Sequence, residues 1–223
     1  MKKIAITGAK GSIGRIMMRG LEGYPITPLD LPEHDVTDYQ DLVRTITGHD
    51  VVIHLAWSSK TENIHSTQTD PINTVMFENV YRGARDAGVP RVLMASSAHA
   101  DDYLKAKKGV MLHPYDIGTP TTPYGAHKIF MESLGRYHAN QGLEVIAIRF
   151  CDLHRTGKPH PGEPHIWLSE RDSVGLVKSC VEASAVPHNF VVLYGVSNNA
   201  DRIHDYSNPF CWTPKDRAED HMD

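Results

Sequence analysis

The chain has 223 residues and a formal net charge of −4, from 27 acidic and 23 basic side chains that are interspersed. This length suits one domain with a sizeable core. The charge pattern offers no basic face for nucleic acid, and no apolar run approaches the length of a membrane span. The start Met1-Lys2-Lys3 leads into no signal-peptide pattern, and the widely spaced cysteines Cys151, Cys180 and Cys211 fit buried thiols in a reducing compartment. We therefore expect a soluble, cytoplasmic protein without nucleic-acid or membrane partners.

The N-terminal stretch predicts a strand that runs into a glycine-rich turn and a helix. A short apolar run around Ile4 and Ile6 is followed by glycines with Gly-x-x-Gly-x-x-Gly spacing. Glycines in such a turn let the backbone approach a pyrophosphate closely, and the helix start supplies free N–H groups. The stretch therefore predicts a dinucleotide cradle, formed by Gly8, Gly11, Ser12, Ile13 and Gly14.

The second predicted strand, Ile26–Leu29, ends in an acidic residue, Asp30. A carboxylate about 20 residues beyond the glycines accepts hydrogen bonds from both ribose hydroxyls of NAD and repels the 2′-phosphate of NADP. We therefore predict NAD as the cofactor. The pair Asp35-Val36 is expected either to place a carboxylate near the adenine amino group or to form a turn that caps the next helix.

The rest of the chain alternates apolar runs with helical patterns. Helices are predicted over 12–21, 39–47, 71–87, 124–141 and 172–183, and further strands over 50–55, 91–95, 143–149 and 190–194. A polar insertion over 100–122 is expected to be mostly surface loop. The predicted fold is α/β, a Rossmann-like, doubly wound parallel sheet in a single domain. Residues 1–150 would form the NAD-binding core, and 151–223 a small C-terminal substrate-binding portion.

Tyr124 and Lys128 lie four residues apart on a predicted helix, so that both side chains share one face. An ammonium placed there can lower the pKa of a phenol that would otherwise titrate near 10. The same spacing is common on solvated helix faces. Here it follows a dinucleotide cradle and a strand that ends in Ser96-Ser97, and this combination indicates proton-transfer chemistry.

Together these features resemble the extended branch of the short-chain dehydrogenase/reductase superfamily, the NAD-dependent epimerases and dehydratases. The resemblance covers nearly the whole chain and is carried by Gly8, Gly11, Gly14, Asp30, Asp35-Val36, His54-Leu55-Ala56, Asn73, Ser96-Ser97, Tyr124 and Lys128. It implies that Tyr124 is the general acid/base and that Lys128 holds the nicotinamide ribose and tunes Tyr124. It also implies that Ser97 hydrogen-bonds the reacting oxygen, that Asn73 supports the proton relay, and that Leu55 and Ala56 contact the cofactor.

The C-terminal part is similar to that of the small uronate dehydrogenases. Two segments match their ends, Tyr194-Gly195-Val196-Ser197 and Trp212-Thr213-Pro214-Lys215-Asp216, and Ser97-Ala98-His99 resembles their Ser-Asn-His substrate segment. The resemblance implies NAD-dependent oxidation of the anomeric carbon of a hexuronic acid to a lactone, without a metal. Ser59, Ser97 and His99 are then expected to contact the substrate. The histidines at 154, 160 and 165 are expected to be loop residues rather than metal ligands.

Two features depart from the uronate dehydrogenases. Ala98 stands where asparagine is usual, and the loop His160–His165 lacks the arginine that would bind a carboxylate, so Arg155, Lys158 or Arg171 would have to reach it. Other interpretations therefore stay open: an aldose or sugar-phosphate dehydrogenase, a nucleotide-sugar epimerase or dehydratase, or a non-catalytic NAD-binding sensor. A homodimer through the two longest predicted helices is expected by analogy alone.

Overall fold

The computed structural model describes residues 1–102, 109–153 and 157–222. Its six strands are β1 (Ile4–Thr7), β2 (Ile26–Leu29), β3 (Val51–His54), β4 (Arg91–Ser97), β5 (Glu144–Phe150) and β6 (Phe190–Gly195). Its α-helices are α1 (Ser12–Gly20), α2 (Tyr39–Ile46), α3 (Pro71–Asp86), α4 (Pro123–Ala139) and α5 (Glu170–Glu182), with short 3₁₀ turns at Ala98–Ala100, Pro164–Ile166, Pro187–Asn189 and Ala218–His221. Within these ranges, no helix combines the length and apolar character that a bilayer span needs.

All strand pairs are parallel, and the sheet order is β2-β1-β3-β4-β5-β6. This order confirms the predicted Rossmann-like α/β fold. The chain moves outward from β1 to β2 and then returns to the other side of β1 as β3. Because the order reverses there, the carboxyl ends of β1 and β3 border a crevice, the usual ligand site of such sheets.

The sheet is covered on both faces, as parallel sheets require. Alternating strand residues divide between two apolar clusters, so that Ile4 and Ile6 face one side while Ala5 faces the other. Helices α1 and α5 supply Met17 and Leu176 to the first cluster, and α2, α3 and α4 complete the second. Every residue of β1 and β3 is buried, which explains why both strands are mostly apolar, with a polar residue, Thr7 or His54, at the carboxyl end alone.

A buried ionic network ties the last strands to α4. The Arg149 guanidinium on β5 donates two hydrogen bonds to the Glu132 carboxylate, at 2.9 and 2.8 Å, and one to Asp101 Oδ2 at 2.7 Å. The Tyr194 hydroxyl donates to the same Asp101 oxygen, and burial raises the pKa of Tyr194. These four side chains fix α4 relative to β5, β6 and the turn after β4. Arg149 therefore belongs to the core rather than to the loop at the end of the strand.

Removal of the Arg149 charge is expected to destabilise the fold strongly. In Arg149→Met two buried carboxylates lose their partner, which typically costs about 3–5 kcal/mol. The matched control is Arg19→Met, whose exposed pair with Glu170 contributes no more than about 1 kcal/mol. Urea denaturation followed by circular dichroism measures both losses. Equal, small losses in the two variants would show that the network contributes little.

Candidate active site

The turn between β1 and α1 is shaped by two glycines. Gly8 has a φ of +68°, and a Cβ there would lie 2.6 Å from the Ala56 nitrogen. A Cβ at Gly14 would lie 2.2 Å from the Gly8 oxygen. Neither position tolerates a side chain, so the predicted glycine spacing is a requirement of close backbone packing.

The N-terminus of α1 is prepared for an anion. Among the α-helices of the described ranges, α2, α3, α4 and α5 begin with a capping side chain, Asp38, Asp70, Thr122 and Ser169 respectively. The N-cap residue of α1 is Gly11, which has no side chain to cap the helix, and the first turn of α1 has no acidic residue. Its first N–H groups therefore remain available, and with the helix dipole they favour a phosphate.

A large cleft of about 510 Å³ adjoins this turn. It is lined by seven predicted cofactor residues, Gly8, Gly11, Asp30, Asp35, Val36, Leu55 and Ala56, and by Trp57, Ser58 and Met76 among others. The Asp30 carboxylate is fixed at the cleft by the backbone N–H groups of Lys10 at 2.7 Å and Leu31 at 2.8 Å. Ser12 lies in an adjoining groove of about 420 Å³ with Arg15 and Arg19.

Asp35 forms a turn in the structure, while the contact of its carboxylate with the adenine amino group stays a prediction. Asp35 Oδ1 accepts hydrogen bonds from the backbone N–H and the hydroxyl of Thr37, at 2.9 and 2.8 Å, which forms a turn ahead of α2. The helix cap itself is Asp38, which accepts from the Asp41 N–H. Asp35 and Val36 nevertheless line the cleft, so the turn does not remove them from it.

A small pocket of about 330 Å³ lies at the ends of β4 and β5. It brings together Ser97, His99 and Tyr124 with Ile13, Ile64, Asp152, His160 and Glu163. Ile13, predicted as a cofactor residue, thus lies between the turn and this pocket. Burial raises the pKa of Tyr124, while a hydrogen bond from Ser97 lowers it and the Glu62 carboxylate raises it. Burial also lowers the pKa of His99.

Lys128 lies behind this pocket with its charge enclosed. Its Nζ donates to the Ala95 carbonyl at 2.9 Å and lies 3.5 Å from the centre of the Trp57 ring. Burial lowers the pKa of Lys128 to about 7, against the opposing effect of Glu62 and Glu132. Burial is the largest effect on the pKa of Tyr124, and the expectation that Lys128 lowers this pKa stays a prediction.

Two predicted residues take different positions from those expected. The Asn73 amide is fully buried; its Oδ1 accepts from Ser58 N–H at 2.7 Å and its Nδ2 donates to Glu62 at 2.9 Å. Asn73 therefore anchors a loop, and its side chain does not line the pocket. Ser59 is exposed on that loop, where its carbonyl accepts from Asn63, and it lines neither the cleft nor the pocket. Ile64, further along the loop, faces the pocket instead.

The candidate carboxylate-binding residues are also separated. Arg171 pairs with Asp216, which additionally accepts from the Ser169 hydroxyl at 2.6 Å. These contacts hold the segment around Asp216 against the start of α5, and the Arg171 side chain is engaged in the ion pair with Asp216. Lys158 does not line the small pocket. Arg155 and His154 lie outside the described residues.

Three residues that lie around Tyr124 and Lys128 are not singled out in the sequence analysis: Glu62, His127 and Trp57. Glu62 is fully buried, and His127 Nδ1 contacts its carboxylate at 2.9 Å. The Trp57 ring meets the Tyr124 ring edge-on at a centroid distance of 5.6 Å. The signal for His127 was its position inside the Tyr124–Lys128 spacing, whereas Glu62 in a polar loop gave none.

Residues 4–169 match the NAD dependent epimerase/dehydratase family. The chain belongs to this family. The chain is 28% identical over 232 residues to L-arabinose 1-dehydrogenase (NAD(P)(+)) of Haloferax volcanii, covering 91% of each chain. It is 28% identical to the uronate dehydrogenase of Agrobacterium fabrum, covering 98% of this chain and 86% of the relative. The crystal structure of uronate dehydrogenase from Agrobacterium tumefaciens matches with a TM-score of 0.84 and 26% identity, over 99% of this chain and 86% of that one. A mutant of that enzyme was solved complexed with NAD.

The residues of the large cleft fit the family's cofactor. The Gly8–Gly14 turn leaves room for a pyrophosphate, the uncapped α1 N-terminus offers donors to it, and Asp30 offers acceptors to a ribose. Tyr124 and Lys128 both contact Trp57, which lines this cleft. The relatives include NAD(P)-dependent sugar dehydrogenases, which suggests an oxidoreductase.

Proposed function

We propose that the protein is an NAD-dependent sugar dehydrogenase that oxidises the anomeric hydroxyl of a ring-form sugar to a lactone. The observation that supports this most is that Ser97 and Tyr124 line the small pocket while Lys128 contacts Trp57, a residue of the dinucleotide-type cleft. A non-catalytic NAD sensor would have no need for a serine, a phenol and an ammonium at this junction. We assign residues 1–150 to the NAD-binding core and 151–223 to the substrate-binding portion.

The proposed chemistry assigns one step to each side chain. NAD, when bound, supplies the hydride acceptor and a positively charged ring. The Ser97 hydroxyl orients the reacting sugar oxygen, and Tyr124 Oη takes the hydroxyl proton. Because burial raises the pKa of Tyr124, the phenolate needs positive charge nearby, and Lys128 in its protonated form provides it. Lys128 also holds the nicotinamide ribose in this proposal.

Tyr124→Phe is expected to abolish turnover while NAD binding stays near the wild-type value. The substitution removes the proton acceptor but leaves the Gly8–Gly14 turn and Asp30 untouched. General acid–base catalysis is typically worth 10²–10⁴-fold, so we expect a loss of roughly that size in kcat, measured as NADH absorbance. Lys128→Ala should weaken both turnover and NAD binding. A Tyr124→Phe enzyme with about half of wild-type activity would assign the proton transfer to another group.

NAD preference over NADP follows from the acidic end of the cleft. Asp30 and Asp35 both line it, and Lys10, the one lysine or arginine among its described lining residues, pairs with Glu33 at 2.7 Å. A 2′-phosphate would face these carboxylates at close range. We expect calorimetric titration to give tighter NAD binding, and Asp30→Asn to narrow the difference. Equal affinities in the wild type would contradict this role of Asp30.

The small pocket favours an uncharged sugar. Of its lining residues in the described ranges, the acidic side chains are Asp152 and Glu163, and none is lysine or arginine. A hexuronate or sugar phosphate would bring further negative charge beside these two carboxylates. A volume of about 330 Å³ is at the small end of ligand pockets and suits one sugar ring better than a nucleotide sugar. A neutral aldose is therefore the substrate that the geometry supports best.

The hexuronate predicted from the sequence is the second candidate. The match of Trp212–Asp216 to uronate dehydrogenases and the relatives of that name favour it. Its carboxylate would have to be held by Arg155 or Lys158 together with hydrogen bonds from His99. The two candidates can be distinguished by substitution. If an aldose is the substrate, the Glu163 carboxylate repels a hexuronate; if a hexuronate is the substrate, Arg155 binds its carboxylate.

The substrate class is tested by NAD reduction with a panel of paired neutral aldoses and hexuronates of matching stereochemistry. We expect the aldose to have the higher kcat/KM. Glu163→Gln should raise kcat/KM for the hexuronate by about 5–10-fold, since a repulsion of about 1 kcal/mol is removed, and change the aldose value little. The surface variant Glu182→Gln controls for net charge. If hexuronates are preferred and Arg155→Ala selectively removes their turnover, a hexuronate is the substrate.

A further inference from the structure

A fully buried acid lies directly behind the catalytic pair. Glu62 belongs to the loop between β3 and α3, yet its side chain has no exposed surface. Its Oε2 accepts hydrogen bonds from the Asp70 N–H at 2.8 Å and from Asn73 Nδ2 at 2.9 Å. Both carboxylate oxygens lie 2.9 Å from His127 Nδ1. Such a costly buried charge calls for an explanation beyond loop packing.

Glu62 connects three parts of the site. Asn73 belongs to α3, and His127 belongs to α4, one residue before Lys128. The Glu62 backbone carbonyl accepts from Trp57 Nε1 at 3.0 Å. The Trp57 ring in turn covers Lys128 Nζ at 3.5 Å and contacts the Tyr124 ring. Movement of Glu62 would therefore displace the indole wall and the helix that carries both catalytic side chains.

The hydrogen bonds of His127 are satisfied by a neutral imidazole. With its proton on Nδ1, the ring donates to the Glu62 carboxylate, and its Nε2 accepts from the Thr74 hydroxyl at 2.7 Å. No second proton on the ring is needed. In this tautomer His127 brings no positive charge to the carboxylate, and Glu62 acts electrostatically on the Lys128 ammonium.

We propose that Glu62, held by His127 and Asn73, is a positioning residue for the proposed reaction, and that its charge keeps Lys128 protonated beside Tyr124. The inference rests on the proposed function, since it concerns the same proton transfer. Glu62 contacts neither substrate nor cofactor in this role. It acts by placing Trp57 and α4, and by adding a negative potential behind the ammonium.

Other polar and titratable groups also lie near Tyr124 and Lys128, but we assign this role to Glu62. Glu132, the second acid that acts on Lys128, is bound bidentately by Arg149. His54 on β3 is neutral, because burial and Lys128 lower its pKa to about 3. Ser97 and His99 face Tyr124 from the end of β4. The Glu62 charge raises the pKa of both Tyr124 and Lys128, so its removal lowers both.

The decisive variant is Glu62→Gln, which removes the charge and preserves the hydrogen bonds. The amide oxygen can accept from Asp70 and Asn73, while the amide nitrogen donates to His127 after a tautomer change that lets Nε2 donate to Thr74. For sugar oxidation, kcat/KM rises as Tyr124 loses its proton and falls as Lys128 loses its own. We expect both limbs of the pH profile to move to lower pH. The shift should be roughly 0.5–1 unit, a modest size, because Glu62 forms no direct ion pair with Tyr124 or Lys128.

Two matched variants separate charge from structure. Glu78→Gln makes the same substitution on α3 outside the site and should leave the profile in place. His127→Asn keeps a donor for Glu62 and keeps its charge, so kcat should fall several-fold while the profile stays at the wild-type pH. A Glu62→Gln enzyme with reduced kcat and an unmoved profile would show a merely structural role and overturn the proposal.

A titration without substrate keeps the test independent of the proposed function. The tyrosinate absorbance of the protein, after subtraction of the Tyr124→Phe variant, gives the pKa of Tyr124. NMR of ¹³Cε-labelled lysine with Lys128→Ala as reference gives that of Lys128. Both should fall in Glu62→Gln, and unchanged values would overturn the proposal even if no sugar is oxidised. If Glu62→Gln does not fold, Glu62→Gln/His127→Asn, with two paired amides, must give the same shifts.

Discussion

Enclosure of the Lys128 ammonium is the constraint on which the rest of the site depends. A lysine at this depth loses water, and burial lowers its pKa to about 7. What replaces the water is specific: the Ala95 carbonyl at the end of β4, the Trp57 ring, and the more distant carboxylates of Glu62 and Glu132. These groups come from three elements, β4, the β3–α3 loop and α4. The end of β4, the β3–α3 loop and α4 must therefore be placed correctly relative to one another, so that the Lys128 ammonium lies where the proposed chemistry needs it.

This requirement connects the core to the site. Arg149 on β5 pairs with Glu132 of α4, and Glu62 in the β3–α3 loop accepts a hydrogen bond from His127 of the same helix. Helix α4 is thus held by one ion pair to the sheet and by one hydrogen bond to the loop. Tyr124 and Lys128 project from its first turns toward the junction of the cleft and the pocket. Residues far apart in the chain cooperate here because parallel strands bring their carboxyl ends to one edge.

The fold and the glycine-rich turn could be predicted from the sequence because they depend on local rules. Apolar runs of four to seven residues mark the strands, and Gly8 and Gly14 mark a turn where a side chain would collide with the backbone. Helices α4 and α3 begin directly after Thr122 and Asp70, residue types that commonly cap helix N-termini. Strand β4 extends to Ser97, two residues beyond the predicted end, because Ser96 and Ser97 pair with β5 although they are polar.

The polar surroundings of the site could not be predicted in the same way. Asn73 was expected in the proton relay, but its amide is occupied by Ser58 and Glu62, a contact between residues in different elements. Ser59 was expected at the sugar, and a turn in the loop directs Ile64 there instead. The homodimer stays a prediction, as does the oligomeric role of the long helices. Side-chain partnerships of this kind depend on tertiary packing, which periodicity does not encode.

The measurement that most directly tests the central claim is the fate of the hydrogen at the anomeric carbon. The protein is incubated with NAD and an aldose deuterated at C1, and the nicotinamide and sugar products are analysed by NMR and mass spectrometry. The account predicts that the deuterium appears at C4 of the reduced nicotinamide and that the sugar is recovered as the lactone or its hydrolysed acid. If deuterium stays on the sugar while its configuration changes at another carbon, the enzyme is an epimerase, and the account is wrong.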